Sequence, residues 1–139
     1  IGNVLRIKNL EEERTRITKY LNNNGYYKFA ENFISFDIDS SRGNDKTIII
    51  TKIKQPKTDS IHHKYYLNNI YINTNYDPYT SNNLSTDTIF FQDVYILSKG
   101  KSKFNPNPLY RSLFIHPKEL YNQKKESLNF MLRKERVLI

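Results

Sequence analysis

Chemistry in this chain of 139 residues could reside first in Asp37 and Asp39, because carboxylates two positions apart on a strand share a face and can act as an acid–base pair. Their setting argues otherwise. Ile34, Phe36 and Ile38 alternate with Ser35, Asp37 and Asp39, which makes the aspartates the solvated side of a half-buried strand. His62 and His63 are adjacent, so on a strand they point to opposite faces and cannot readily share a metal; His116 stands alone before a proline. Glu11, Glu12 and Glu13 suit the first turn of a helix, where carboxylates meet the positive end of its dipole. With no cysteine, disulfide frameworks, thiol catalysis and thiolate metal sites are excluded. Phosphate-loop, nucleophile-elbow and zinc-protease signatures are absent as well. The expectation is a non-catalytic protein that needs neither cofactor nor metal.

The aspartate pair lies in Leu10–Ile53, the stretch around which the rest of the chain is organised. Leu10, Ile17, Tyr20 and Leu21 recur near the helical period, with Asn9 as N-cap and Glu12 placed to pair with Arg16. Asn22, Asn23, Asn24 and Gly25 end that helix, since both residue types tolerate the left-handed conformation. The period then changes to two. A strand through Phe33–Asp39, a turn over Ser40–Asp45 and a second strand over Lys46–Lys54 form a hairpin. The polar run Gln55–Ile61 separates a first module, residues 1–57, from a second, residues 58–139.

Within the second module, Lys64–Asn75 and Thr88–Leu97 read as strands because β-branched and aromatic residues dominate them. A turn-rich loop over Tyr76–Asp87 joins them, and Ser98–Lys101 supplies a hairpin turn with a short return through Phe104. Pro108 fits the first turn of a short helix that His116-Pro117 stops. A last helix over Asn122–Glu135 buries Leu128, Met131 and Leu132. The start at Ile1 and the apolar finish Val137–Ile139 suggest a piece cut from a longer chain.

The net charge of +8 points to an anionic partner, but the composition offers a plainer account. The chain is crowded with Asn, Lys, Ile and Tyr, as an AT-rich coding sequence dictates. Its longest basic cluster is only Lys99, Lys101 and Lys103. Eleven tyrosines and eight phenylalanines could stack on bases, though most fall where a sheet needs them. A basic, aromatic-rich nucleic-acid-binding domain is therefore the alternative reading.

The run ITKYLNNNGYYKFAENFISFDID and the Lys/Thr/Ile strand that ends before Pro56 resemble the second helix and last two strands of a POTRA domain. KYYLNNIYINTNYDP resembles the first strand of the next such domain, and YILSKGKSKFNPNPLYRSLFIHPKELYNQKKESLNFML its two helices. Leu21–Tyr27, read as L-x-x-x-G-Y-Y, is similar to the helix-to-strand corner of these domains. The family is that of the BamA/TamA-like outer-membrane assembly factors, in a TamA-like branch with residues 75–104 as an insertion. The resemblance implies an α+β fold: small POTRA-like modules, each a mixed three-stranded sheet on two helices. The first module would lack its opening strand and helix, the second its closing two strands. It implies a periplasmic protein-binding role in outer-membrane protein assembly or translocation, with a β-barrel attached in the parent chain. The implied partners are unfolded outer-membrane proteins and assembly-complex subunits, bound by β-augmentation. Composite halves also allow domain-swapped self-association. Phe33, Ile34, Ser35, Phe36, Asp37, Ile38 and Asp39 form the candidate edge for strand addition, because an unpaired edge binds through its backbone.

Overall fold

The computed structural model describes residues 6–41, 47–75, 79, 87–101 and 104–136, with side chains in the last helix described through Asn129. The fold is α+β, with three α-helices and two small sheets among the described residues, one of them a mixed three-stranded sheet. The chain divides into two compact units: Ile1–Tyr65 with Tyr121–Gln123, and Tyr66–Leu120 with Lys124–Ile139. The linker over Gln55–Ile61 lies inside the first unit.

Helix α1, Ile7–Asn22, opens the first unit. Its N-cap is Arg6 in an extended conformation, without a side-chain cap, so the expected Asn9 cap and first-turn glutamates fall inside the helix. That earlier start shifts the pairing. Arg16 makes a bidentate contact to Glu13 at 2.6 and 2.7 Å, while Glu12 faces Lys8 at 3.8 Å. Tyr20 is exposed and Thr18 takes its place among the buried positions. At the other end Leu21 C=O accepts the backbone N–H groups of Asn24 and Tyr26, and Gly25 adopts φ 97°. Glycine is the residue for which that conformation carries no Cβ penalty. Beyond the corner, Tyr27 packs edge-on against Tyr65 and Tyr121, at 6.0 and 4.9 Å between centroids.

A single 3-10 turn, Glu31–Phe33, leads into strand β1, Ile34–Asp39, which pairs antiparallel with β2, Ile48–Ile53. Two links tie α1 to this region. Thr15 Oγ1 donates to Glu31 Oε1 at 2.7 Å, and the Arg14 guanidinium lies 5.6 Å from the Phe36 ring centroid. Phe29 and Ile34 are the buried apolar residues here. His62 packs against the rings of Phe29 and Phe33, at 4.9 and 4.8 Å, which draws the linker onto the same small core.

The second unit is built on a sheet of order β3-β5-β4: Tyr71–Asn73, Val94–Ser98 and Asp87–Phe91. β3 runs parallel to β5, and β4 runs antiparallel to it. The middle strand is the buried one, with Val94 and Ile96 fully inside, and Ile70 joins their cluster. Ile72, Phe91, Leu109, Tyr110, Leu113 and Ile115 pack around it. Two expectations are corrected here. The single strand over Thr88–Leu97 is a hairpin that turns at Gln92-Asp93, and the strand over Lys64–Asn75 shrinks to β3 plus an isolated bridge between Tyr66 and Leu120. Gln92 takes φ 58° to make the turn. The return through Phe104 is not a strand among the described residues, and Lys103 lies outside them.

Helix α2, Pro106–Arg111, has Pro108 in its first turn as expected and starts at Pro106, where Asn105 caps it by accepting the Asn107 N–H at 3.0 Å. Helix α3 spans Gln123–Arg136. Leu128 is partly exposed in it, contrary to its expected burial, and the Met131 and Leu132 side chains lie outside those described. No helix among the described residues is long and apolar enough to cross a membrane.

Candidate functional site

The candidate edge of Phe33–Asp39 falls across two elements: Phe33 closes the 3-10 turn, and Ile34–Asp39 are β1. Lys54 donates its backbone N–H to Phe33 C=O at 2.8 Å, which fixes the phase of the ladder. In an antiparallel pair, bonded and non-bonded residue pairs alternate. Ser35 with Lys52, Asp37 with Ile50 and Asp39 with Ile48 are therefore the bonded pairs. The residues between them turn their backbone groups outward: Ile34, Phe36 and Ile38 on β1, and Ile49, Thr51 and Ile53 on β2. The 3-10 turn takes back one of these, since Ile34 N–H donates to Glu31 C=O. As this sheet has two strands only, each has an outer edge with no strand beside it among the described residues.

Side chains distinguish the two edges. β1 is buried at Ile34, half-buried through Ser35 and Phe36, and exposed from Asp37 to Asp39. Asp37 forms an ion pair with Lys52 on the neighbouring strand. Hydrogen bonds from Ser41, first the side chain and then the backbone N–H (2.9 Å from Oδ1), hold the Asp39 carboxyl below its ordinary value. The two aspartates are thus occupied, one in the ladder and one in starting the turn. Residues 42–45 of that turn lie outside the described residues.

β2 contributes Lys52 to that ion pair and is otherwise apolar apart from Thr51. All six of its residues are exposed, and Ile48, Ile49, Ile50, Ile53 and the neighbouring Ile38 keep between 36% and 51% of their surface in contact with solvent. The isoleucines occupy both faces: Ile49 and Ile53 on the face of Phe36, Ile48 and Ile50 on the face of Asp37. A long, apolar, uncovered edge is the feature that natural sheets ordinarily blunt with charge, proline or a covering element. Sequence reasoning passed over β2 in favour of β1. The signal that could have found it is the run Ile48-Ile49-Ile50, whose lack of alternation marks a strand meant for burial on both faces.

The remaining candidates do not converge. His62 Nε2 lies 2.9 Å from Lys54 C=O, whereas His63 faces Asp59 at 3.9 Å. His116 packs against Tyr110 at 5.2 Å, so the three imidazoles serve separate contacts. Among the described residues no group of three His, Asp or Glu side chains could hold a metal. A cavity of about 220 Å³ in the first unit is walled by Tyr26, Phe29, Phe33, His62 and Tyr65, beside Lys28. Aromatic rings also cross the second sheet. Tyr71 and Tyr95 stack at 5.0 Å and 18°, and Phe90 meets Tyr95 at 5.0 Å. Tyr95 therefore has a ring on either side, while Tyr71 and Phe90 themselves remain exposed.

Comparison with known proteins returned no match to a family model, to a curated protein or to a solved structure.

Proposed function

We propose that this chain is a non-catalytic protein-binding module that takes an extended segment of a partner onto its first hairpin by strand addition. The observation that carries the reading is the two-stranded sheet itself: two edges with no further strand beside them among the described residues, outward backbone groups on alternate residues, and exposed isoleucines beside them. An incoming strand gains backbone hydrogen bonds from such an edge with little demand on its sequence, and buries apolar side chains as it docks. Unfolded outer-membrane proteins, which present alternating β-segments, are the partner class proposed. The wider setting is a periplasmic arm of a BamA/TamA-like assembly or translocation factor, with partner subunits and a β-barrel in the parent chain. That setting rests on the resemblance of residues 17–39 and the strand that follows them.

The test is binding of a urea-unfolded outer-membrane β-barrel protein, diluted into buffer with the chain and followed by fluorescence anisotropy. Binding is expected, and Asp37→Pro should abolish it, because a proline there removes a ladder hydrogen bond and disrupts the hairpin. Failure of the unmodified chain to bind would sink the proposal, as would undiminished binding by a proline variant whose hairpin is shown to be lost.

A further inference from the structure

The base of the first hairpin, at the end away from its turn, holds a cavity that strand addition does not use. Phe33 precedes β1 and Pro56 follows β2, and both line this space of about 220 Å³. The corner after α1 and the linker supply the rest of its wall. Innermost is a cluster of three rings. Phe29 is buried, and the His62 imidazole lies 4.9 Å from Phe29 and 4.8 Å from Phe33, which are themselves 5.7 Å apart. That imidazole is oriented by its Nε2–H, which donates to Lys54 C=O at 2.9 Å, since a carbonyl oxygen can only accept. Tyr26 and Tyr65 line the cavity as well, and the Tyr65 backbone is tied to the corner by its N–H, which donates to Gly25 C=O at 2.8 Å. The space is thus aromatic and formed before any ligand enters.

Size and charge define what fits. The volume exceeds the roughly 150 Å³ that admits benzene and falls short of the roughly 300–1,000 Å³ of drug-sized sites, so it takes one ring with a short substituent. The sign of that substituent follows from the cations on the ring faces. Lys28, which lines the cavity, places Nζ 5.4 Å from the Tyr65 ring centroid, and Lys64 places its Nζ 5.7 Å from that of Tyr26. A ring face that already holds an ammonium repels a second cation, so the cavity is not an aromatic cage for quaternary ammonium ligands. Asp59 is the one carboxylate of the lining, and it faces His63 at 3.9 Å. Lys28 is exposed and forms no ion pair among the described residues.

We infer that this cavity is a binding site for a small aromatic carboxylate, with the ring among Phe33, His62 and Tyr65 and the carboxylate on Lys28. The inference is independent of the strand-addition reading, because no β1 or β2 residue lines the cavity. Burial of the ring supplies affinity common to any ligand of that shape, and the charge-assisted contact to Lys28 selects the anion.

The test is a titration of the chain with phenylacetate at fixed ionic strength, followed by NMR of the isotopically labelled His62 and Phe33 rings. Saturable shifts are expected at both, with a dissociation constant on the order of 1 mM or tighter. Acetate alone should give none. Phenylacetamide, nearly the same shape without the charge, should bind at least about fivefold more weakly, and benzyltrimethylammonium more weakly still. Lys28→Gln should reduce phenylacetate to the affinity of the amide and leave the amide within about twofold. Lys19→Gln removes the same charge from α1, outside the cavity, and should leave phenylacetate within about twofold.

Absence of saturable shifts at His62 and Phe33 would overturn the site. Equal affinity for the amide, or equal losses in the Lys28 and Lys19 variants, would overturn recognition of the anion by Lys28. Tighter binding of benzyltrimethylammonium would hand the cavity to cations and overturn the inference. Binding of an unfolded chain at the hairpin edges is read in its own experiment, so either proposal can fail without the other.

Discussion

At the scale of single residues, Asp39 is where charge bears on the candidate site. Its carboxylate accepts from Ser41 just where β1 gives way to the turn, and those bonds lower its pKa in the folded chain. A carboxyl depressed on folding stabilises the fold above its unfolded pKa, and that contribution fades as pH falls toward and through the folded value. The end of the hairpin should accordingly open as pH drops below the ordinary aspartate range. Amide exchange at Ser41 and Ile48, followed from neutral to acid pH, reads this directly. Asp39→Asn keeps an acceptor for the Ser41 N–H but has no proton to gain, so the local pH dependence should vanish. Persistence of the same pH dependence in that variant would assign it elsewhere. The residue is solvent-exposed, so the effect belongs to the hairpin end and not to the unit as a whole.

At the scale of elements, the turn between β4 and β5 marks where sequence patterns stop being informative. Hairpin turns with a positive φ at the first central residue normally use glycine, and Gln92 occupies that position at φ 58°. A side chain there costs about 1–2 kcal/mol, whereas glycine costs about 0.5–1 kcal/mol through the entropy of the unfolded chain. The first term is larger. Gln92→Gly should stabilise the second unit by about 0.5 kcal/mol or slightly more, measured as a shift in the urea midpoint at unchanged slope. A loss of stability would show that the Gln92 side chain contributes more than its backbone strain removes. Without Gly, Asn or Pro to punctuate it, the run from Thr88 to Leu97 reads as one strand, and only pairing in three dimensions divides it. The first hairpin was legible for the opposite reason: Ile34–Asp39 alternates cleanly, and Gly25 marks the corner with the φ only glycine adopts freely. β2 was legible as a strand but not as an open edge. A run of isoleucines states that neighbours are wanted on both sides, and cannot state that one of them is absent. The helix starts at Arg6 and Asn105 were missed by a few residues because local capping competes closely among adjacent polar positions.

At the scale of the whole molecule, a charge of +8 and nineteen tyrosine and phenylalanine side chains (eleven and eight) pose the choice between protein and nucleic acid as partner. The positions of those residues decide which reading the physics favours. The aromatic ladder of Tyr71, Tyr95 and Phe90 has its rings against one another, and the uncovered edge of β2 holds isoleucine with Lys52 as its only cation. Strand addition exchanges backbone hydrogen bonds and buried apolar area, neither of which releases counterions. Nucleic-acid binding does release them, and a protein making about 6–10 phosphate contacts loses about 10³–10⁵ in affinity between roughly 50 and 200 mM salt. Over the same range, affinity for an unfolded β-barrel client should change by less than about threefold, since the one cation on β2, Lys52, is already paired with Asp37. A fall of two decades or more would transfer the binding to the dispersed lysines and arginines, and with it the function to an anionic partner. The comparison is informative only if both ligands are titrated across the same salt series, because the long-range attraction of a +8 chain for any acidic segment raises its association rate at low salt without adding a contact. Dissociation rates separate the two contributions: for strand addition they should stay nearly constant with salt, and for phosphate contacts they should rise with it.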